Sequence, residues 1–562
     1  MTPRTPRSGR FIALALSLAF PLASCSSDGG GGGATNNGSG SGGSTGSKDG
    51  SSGSGKGGSS GNSGSGGSDN GNNSGGGNGN GAGSGGSNNS GGGNGNGSGG
   101  GNGNGAGGAS GSGGTTGGGN PNGGDNTTHD AAHPFGSHGF KYPDGVIAPT
   151  GGKDKVDGDV KTYYDKWKAK YLQPKCGAFV IYTKGGTGAF PDQTLSVSEG
   201  HGYGMVIAAM MAGYDAKAKE EFDGLYKVFR AFPSEATTDL MAWQILSACP
   251  TKYPPAVTYP GGPPPPPPPT GPIMCTEPLP GCFYIKGTNG DESSATDGDL
   301  DVAFALLLAD KQWGSGGTIN YFAEAQKVIA AIKAKEMNQM SKTPLVADTI
   351  MMGTDDYWAT RPSDFMIDHF RSFGTATNDD FWMQSVEAMH TLIGKIQGQF
   401  SQNTGLIPDF VVGLDKDPKP APPFVPQADE GPTTGEYAYN SCRVPWHLGV
   451  DYIVSGDKRA KDALAKLNTW IQRQSGGSPI FISDGYKLDG SPGTLPPDQA
   501  EHSPEMSFIA PFAVAATVDA ANQKWLDDLW TQMQKVTSDD AYFGDTIRVL
   551  SMIAISGNWW KP

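Results

Sequence analysis

Positive charge is in short supply in this chain. Lys and Arg number 41 against 55 Asp and Glu, leaving a net charge of −14 at pH 7. That balance argues against a nucleic-acid partner and against adsorption on anionic lipid. Cysteine is scarce, six in 562 residues, and no two are spaced as CxxC, so a zinc or redox site has no support. There is no HExxH, and the eight histidines show no metal-ligand spacing. A GxxxxGK match, Gly50 to Lys56, runs into Gly57 where a phosphate-binding loop needs Ser or Thr. It lies in low-complexity sequence, as do the GxSxG matches, and neither carries an argument. No apolar run reaches the roughly 20 residues of a membrane-spanning helix. No cofactor and no metal are expected.

Apolar side chains are nearly missing between Ser26 and about Asn126, a stretch built almost wholly of Gly, Ser and Asn. It cannot bury enough surface to offset its conformational entropy. It reads as a flexible spacer reaching on the order of 50–60 Å for about 100 residues. Ahead of it, Arg4, Arg7 and Arg10 precede a short apolar run, Phe11 to Leu22, the layout of a secretory signal. Leu22-Ala-Ser-Cys25 resembles the lipobox of bacterial lipoproteins. That resemblance implies lipid on Cys25, a protein exported to the cell envelope or secreted, and membrane contact only through the anchor. The expected organisation is a signal peptide over 1–25, a linker over 26–130 and one folded domain over 131–562, large enough for a substantial core. A monomer is expected. Cys176, Cys249, Cys275, Cys282 and Cys442 remain, and export permits disulfides. Cys249, Cys275 and Cys282 flank or sit in one loop where a bridge fits, although sequence does not fix pairing.

Within the domain, Val160, Tyr163, Tyr164, Trp167 and Tyr171 recur at helical spacing, predicting a helix over Asp157–Leu172. Ala178–Thr183 reads as a strand. Further helices are expected around 216–231, 240–248, 303–309, 321–337, 379–397, 457–472 and 523–535. Between 250 and 282, with Pro263 to Pro269 unbroken, periodicity disappears, and the segment reads as an extended, Pro-rich insertion on the surface. Many buried helices joined by long loops, with few strands, predict an all-α toroid or α/α barrel.

Three constellations carry chemistry. In Ser198-Glu-Gly-His-Gly-Tyr-Gly204, one acid, Glu199, opens an almost uncharged apolar run. Either Ser198 caps a helix and Glu199 complements its dipole, or burial raises the carboxyl's pKa and suits it to general acid work. In Ala295-Thr-Asp-Gly-Asp-Leu-Asp301, three acids alternate before an apolar helix. They form an acidic N-cap, or one of them faces Glu199 across a cleft. The run turns apolar where an EF-hand needs its later ligands. In Tyr439-Asn-Ser-Cys-Arg-Val-Pro-Trp446, Arg443 can hold a carboxylate in a bidentate pair. Aromatics recur beside these motifs: Trp243, Tyr357, Trp358, Phe381, Trp382 and Trp446. Flat faces suit sugar rings, and they suit a core equally well.

The Ala295-Thr-Asp-Gly-Asp run, with Ala303, Ala305, Ala309 and Trp313 at fixed offsets, resembles the signature of glycoside hydrolase family 8. Val302 is a mild departure from the family's usual Ile or Met. Ser198–Gly204, Leu240–Trp243, Tyr439–Trp446 and Ser507–Phe512 resemble further family segments, in order across 133–562. The resemblance implies an (α/α)6 barrel and inverting hydrolysis of a β-1,4-linked glucan, xylan or chitosan, a polysaccharide partner. Glu199 becomes the proton donor and Asp297 binds the sugar at the cleavage point. Trp243, Tyr357, Trp358, Tyr439, Asn440, Arg443 and Trp446 become candidate substrate-binding residues. Many members carry an aspartate base where this chain has Asn440, and Asn accepts no proton at neutral pH. The resemblance to a branch with Asn there, including lichenases and chitosanases, implies a base from the preceding loop. Glu430 is the choice, with Glu436 and Asp429 behind it. Loss of catalysis, leaving a carbohydrate-binding lipoprotein, is the alternative of another class.

Overall fold

The computed structural model describes residues 131–562 apart from 184–189, 191–192, 254–257, 259–260, 265–266, 268–270, 287–291, 427, 496–500 and 536–541. Of residues 428–430 it describes the backbone alone. Cys25, the signal and the spacer lie outside the described residues, as does most of Pro263–Pro269.

Twelve α-helices run through the described residues, alternating between an outer and an inner layer. The first pair is α1 (Lys153–Tyr171), outer, and α2 (Ser198–Met211), inner; then come α3 (Ala218–Ala231) and α4 (Thr296–Trp313). Next are α5 (Tyr321–Lys335) and α6 (Ile367–Thr377), then α7 (Phe381–Gln399) and α8 (Val444–Ser455). The last pairs are α9 (Lys458–Gln474) with α10 (Met506–Ala516) and α11 (Gln523–Met533) with α12 (Tyr542–Ile555). The inner helices pack α2 on α4, α4 on α6, α6 on α8, α8 on α10, α10 on α12 and α12 back on α2. Each is backed by an outer helix, α1 closing the circle behind α12. This is the (α/α)6 barrel. No helix among the described residues is long and apolar enough to cross a membrane.

The two layers differ in sequence because they differ in surroundings. Outer helices are amphipathic: α3 buries Phe222, Leu225, Val228 and Phe229 and leaves its other face to water. Inner helices are more fully covered, and every residue of α2 and of α10 is buried. Close approach needs small residues. A Cβ built on Gly298 of α4 would lie 2.6 Å from the Ser198 carbonyl carbon, and one on Gly202 of α2 would lie 2.6 Å from Asp301 Cβ. The two glycines therefore set how near α2 and α4 come, and with it how near Glu199 and Asp297 come. Gly298→Ala should force backbone against backbone and cost about 1–3 kcal/mol. Thermal unfolding measures this, and an unchanged Tm would contradict the packing.

Strands are few and short. β1 (Leu172–Lys175) pairs antiparallel with β2 (Ala178–Ile181). β3 (Thr194–Val197), β4 (Gln244–Leu246), β5 (Cys275–Leu279) and β6 (Phe283–Lys286) form a sheet in the order β3-β4-β6-β5. β7 (Ala359–Thr360), β8 (Val411–Val412) and β9 (Lys419–Pro420) form another.

Two expectations need correction. The stretch 240–248 is not a helix; it crosses the barrel mouth extended and ends in β4. Its backbone bonds go sideways, Ala242 N–H to Phe232 O and Trp243 N–H to Ser293 O, both 2.9 Å. An apolar run of that length satisfies a buried strand as well as a buried helix, and pairing with β3 decides it. The Pro-rich insertion is not extended throughout, since its end folds back as the β5–β6 hairpin. Cys249 is bridged to Cys275 across that insertion, and Cys176 to Cys282. Cys442 is a buried free thiol.

Candidate active site

The inner helices converge with their N-termini on one place. Glu199 lies in the first turn of α2 and Asp297 in the first turn of α4, inside the helix rather than in a loop before it. Short 3-10 turns, Pro362–Asp364 and Ser441–Arg443, lead towards α6 and directly into α8. Tyr542 is the first residue of α12. Helix N-termini carry partial positive charge and favour anions.

Arg443 sits at the centre, 1% exposed. Its Nη1 donates to Glu199 Oε2 (2.8 Å), Asp297 Oδ2 (3.0 Å) and Tyr203 Oη (3.3 Å). Its Nη2 donates to Ser363 Oγ (3.0 Å) and Asn440 Oδ1 (3.2 Å). The planar fork thus ties four segments of chain together, a task an ammonium could not perform. Arg361, unmarked in the sequence, places Nη2 3.0 Å from Asp297 Oδ2 and donates from Nε to both oxygens of Asp364. Tyr542 Oη donates to Glu199 Oε1 at 3.2 Å.

Two buried carboxyls side by side are shifted in opposite directions. Burial pushes Glu199 up to about 7; Arg443 opposes the rise, and the Asp297 charge adds to it. Burial acts on Asp297 too, but Arg361 and Arg443 together reverse it, and the Gly298 N–H adds a bond of 3.0 Å. Asp297 is therefore held below the usual carboxylate range. Two guanidiniums serve Asp297 and a share of one serves Glu199, so the first stays ionised while the second can keep its proton near neutrality. Carboxyls split in this way mark acid–base chemistry.

The Asn440 turn has its own support. Asp409 Oδ1 accepts Ser441 N–H and Ser441 Oγ–H, both 2.7 Å, and Ala438 N–H at 3.1 Å. Burial raises this carboxyl to about 6 against those bonds. Glu436 is committed elsewhere: its two oxygens accept Thr494 N–H and Thr494 Oγ–H, each at 2.7 Å. Glu430 and Asp429 lie in a 3-10 stretch, Ala428–Thr433; their side chains fall outside the described residues.

The aromatic candidates divide. Trp243 packs in a small cluster with Val197, Ala295, Val346, Ala347, Phe410 and Ala421. Its carbonyl accepts Ser198 N–H at 2.8 Å, one residue before Glu199. Trp358 is half-buried and meets Tyr357 edge-on, while the Tyr357 hydroxyl accepts Gln339 N–H at 3.1 Å. Tyr439, also half-buried, lies edge-on to Phe508. Trp446 is 2% exposed and stacks on His447 within the barrel interior. The structure thus gathers Glu199, Asp297, Asn440 and Arg443 at one point, with Trp243 bonded beside it, and places Trp446 in the packing. Arg361, Asp364, Tyr542 and Asp409 join them; among these the sequence offers a signal only for Asp409, a lone acid between Leu406-Ile-Pro408 and Phe410-Val-Val412.

Comparison with known proteins agrees with this geometry. The pattern of glycosyl hydrolases family 8 matches residues 284–557. A β-glucanase of Niallia circulans is 37% identical over 432 residues, covering 76% of this chain and 91% of that protein. The chain belongs to glycosyl hydrolases family 8. An endoglucanase of Bacillus sp. (strain KSM-330) is 35% identical, with 74% of this chain and 80% of that protein covered. The apo structure of a β-1,3-1,4-glucanase from Paenibacillus sp. X4 superposes with a TM-score of 0.62 at 36% identity, covering 77% of this chain and all of that one. As a family 8 member the protein is an inverting glycoside hydrolase, and Glu199, Asp297 and Arg443 occupy the mouth of its barrel.

Proposed function

We propose that the protein is an endo-acting hydrolase of β-1,4 linkages in a β-glucan, either cellulose-like or mixed-linkage, tethered at the cell envelope by lipid on Cys25 and held off it by the Gly/Ser/Asn spacer. The observation that carries the catalytic reading is a buried Glu199, with a pKa pushed up to about 7, beside an ionised Asp297 on one shared guanidinium. The glucanases to which the chain is similar support the choice of polymer.

Glu199 protonates the leaving glycosidic oxygen. Asp297, anionic and fixed by two arginines, faces the sugar at the cleavage point, where positive charge develops in an oxocarbenium-like transition state. Inversion requires a base about 6.5–9.5 Å from the acid, with a water between base and sugar. Asn440 cannot be that base. Glu436 is tied to Thr494, which favours Glu430 from the same loop. Glu430→Gln should then abolish turnover, while Glu436→Gln should loosen the 434–436 segment and leave most activity.

Incubation with carboxymethylcellulose, lichenan, xylan and chitosan, followed by reducing-end assay, tests the substrate. Release from the first two is expected, and NMR of the first product should show the α-anomer. Release from chitosan alone would make the protein a chitosanase. Release from none would leave a carbohydrate-binding lipoprotein.

A further inference from the structure

Below the catalytic floor the inner ring holds a charged group that does not meet the substrate. His369 lies in the first turn of α6, next to Asp368, and is 2% exposed. Its ring lies flat on Phe304 of α4, centres 3.8 Å apart and planes 9° from parallel. Nε2 is hydrogen-bonded to Asp301 Oδ1 of α4 at 3.0 Å. Nδ1 is 3.0 Å from Asp368 Oδ1, an ion-pair contact out of line for a hydrogen bond. Both ring nitrogens therefore face carboxylates. A neutral imidazole has one N–H, so with Nε2–H on Asp301 a bare Nδ1 would sit 3.0 Å from a buried carboxylate oxygen. Asp368 accepts no hydrogen bond from any described donor. Its charge is offset by this ring and by its place in the first turn of α6.

The location gives the ring its consequence. Asp301 follows Asp297 by four residues, so the two carboxylates share a face of α4 one turn apart. Asp301 Cβ is also the atom against which Gly202 of α2 closes. We propose that His369 is a doubly protonated positioning residue, whose imidazolium clamps Asp301 to α6 and so fixes the turn of α4 that presents Asp297 to the sugar. The proposal rests on the role given to Asp297 above. The groups around the ring agree with a cation. Burial alone lowers His369, but Asp368 and Asp301 more than offset it and raise it to about 9. From α8, His447 is held well below its ordinary value by burial, then by Arg443 and His369, and stays neutral. Burial raises the Asp301 carboxyl, with Asp297 and Asp368 adding to the rise, and the hydrogen bond and charge of His369 oppose it.

A group raised in the folded state stabilises it fully below its unfolded pKa, and the contribution is lost as pH rises through the folded one. The stabilisation from the His369 charge is thus complete below roughly 6.5 and is lost as pH passes about 9, while the charged ring itself persists until that upper value.

NMR of the histidine ring nitrogens in the whole protein tests the charge without reference to activity, with His369→Asn identifying the resonance. The expected result is a doubly protonated ring still present at pH 8, where an ordinary imidazole is neutral. A neutral ring at pH 7.5, with the proton on a carboxyl instead, would overturn the proposal. Kinetics on whichever polymer the wild type cleaves tests the positioning. His369→Asn should lower kcat about tenfold to a hundredfold and leave KM within about threefold. A variant that loses thermal stability but keeps wild-type kcat would show the ring to be structural only. Should His369→Asn not fold, contacts of the ring with Phe304, 3.8 Å away, assign the resonance in the wild type, and its titration decides the charge. A wild type cleaving no polymer, yet holding a cationic His369, would sink the hydrolase reading and leave the clamp standing.

Discussion

Glu199→Gln should lower turnover by about 100- to 10,000-fold, the range attributable to a general acid, with an unchanged circular dichroism spectrum. The amide keeps the shape of the side chain; its oxygen can accept from Arg443 and its NH2 can donate to the Tyr542 hydroxyl, so the barrel has no reason to move. What it cannot do is give a proton to the leaving oxygen. The pH behaviour separates this from a binding defect. Because burial holds the wild-type carboxyl at about 7, kcat should fall as pH rises through that value, since only the protonated acid works. The stability effect runs in parallel. A carboxyl raised in the folded state stabilises it below the unfolded value and loses that contribution as pH climbs to the folded one. Glu199→Gln removes the titration, so its stability relative to wild type should improve from pH 5 to pH 8. Wild-type turnover by the variant, or an alkaline limb that persists unshifted in its residual activity, would remove Glu199 from the role.

The outer layer of the fold was legible because it borders water. α1, α3, α5, α7, α9 and α11 each show one apolar face, and each was located within a few residues. The inner layer was largely not. α8, α10 and α12 are almost wholly surrounded by protein, so neither face must be polar, and the 3.6-residue rhythm that announces a helix is missing; α6 is short, and only its first half and Phe373 are sealed in the core. The 240–248 stretch failed for the same reason in the opposite sense: uniform burial hides which secondary structure is buried. The acids and Arg443 were readable because a charge in an apolar run is costly unless it is used or paired. Arg361 and Asp364 were not, since their own neighbourhoods are polar and only the folded chain reveals that they are sealed off; Asp409, a lone acid between Leu406-Ile-Pro408 and Phe410-Val-Val412, carries the same signal as Glu199. Asn440 was visible directly as a residue that accepts no proton, whereas the choice of a base from the preceding loop turns on loop geometry.

Arg443→Met should be the most damaging single substitution in the molecule. It removes the only group among the described residues bonded at once to Glu199, Asp297, Ser363 and Asn440. Breaking a buried ion pair from one side typically costs about 3–5 kcal/mol, because the partners are left uncompensated. Arg361 still neutralises Asp297, so the loss should fall on Glu199, now facing the Asp297 charge with no cation of its own. Its carboxyl should rise above its present value of about 7, making it a weaker acid and moving the alkaline limb upward in whatever activity survives. Turnover should fall by about 100-fold or more, as when a preorganised electrostatic partner is deleted elsewhere. Arg443→Lys offers the finer comparison. An ammonium restores charge and should recover much of the stability, yet it cannot reach two carboxylates, a hydroxyl and an amide together, so kcat should stay low. Chemical denaturation alongside a pH–rate profile measures both effects. If Arg443→Lys recovered turnover together with stability, charge alone would suffice, and the fork that joins α2, α4, α6 and α8 at the barrel mouth would have no special part in catalysis.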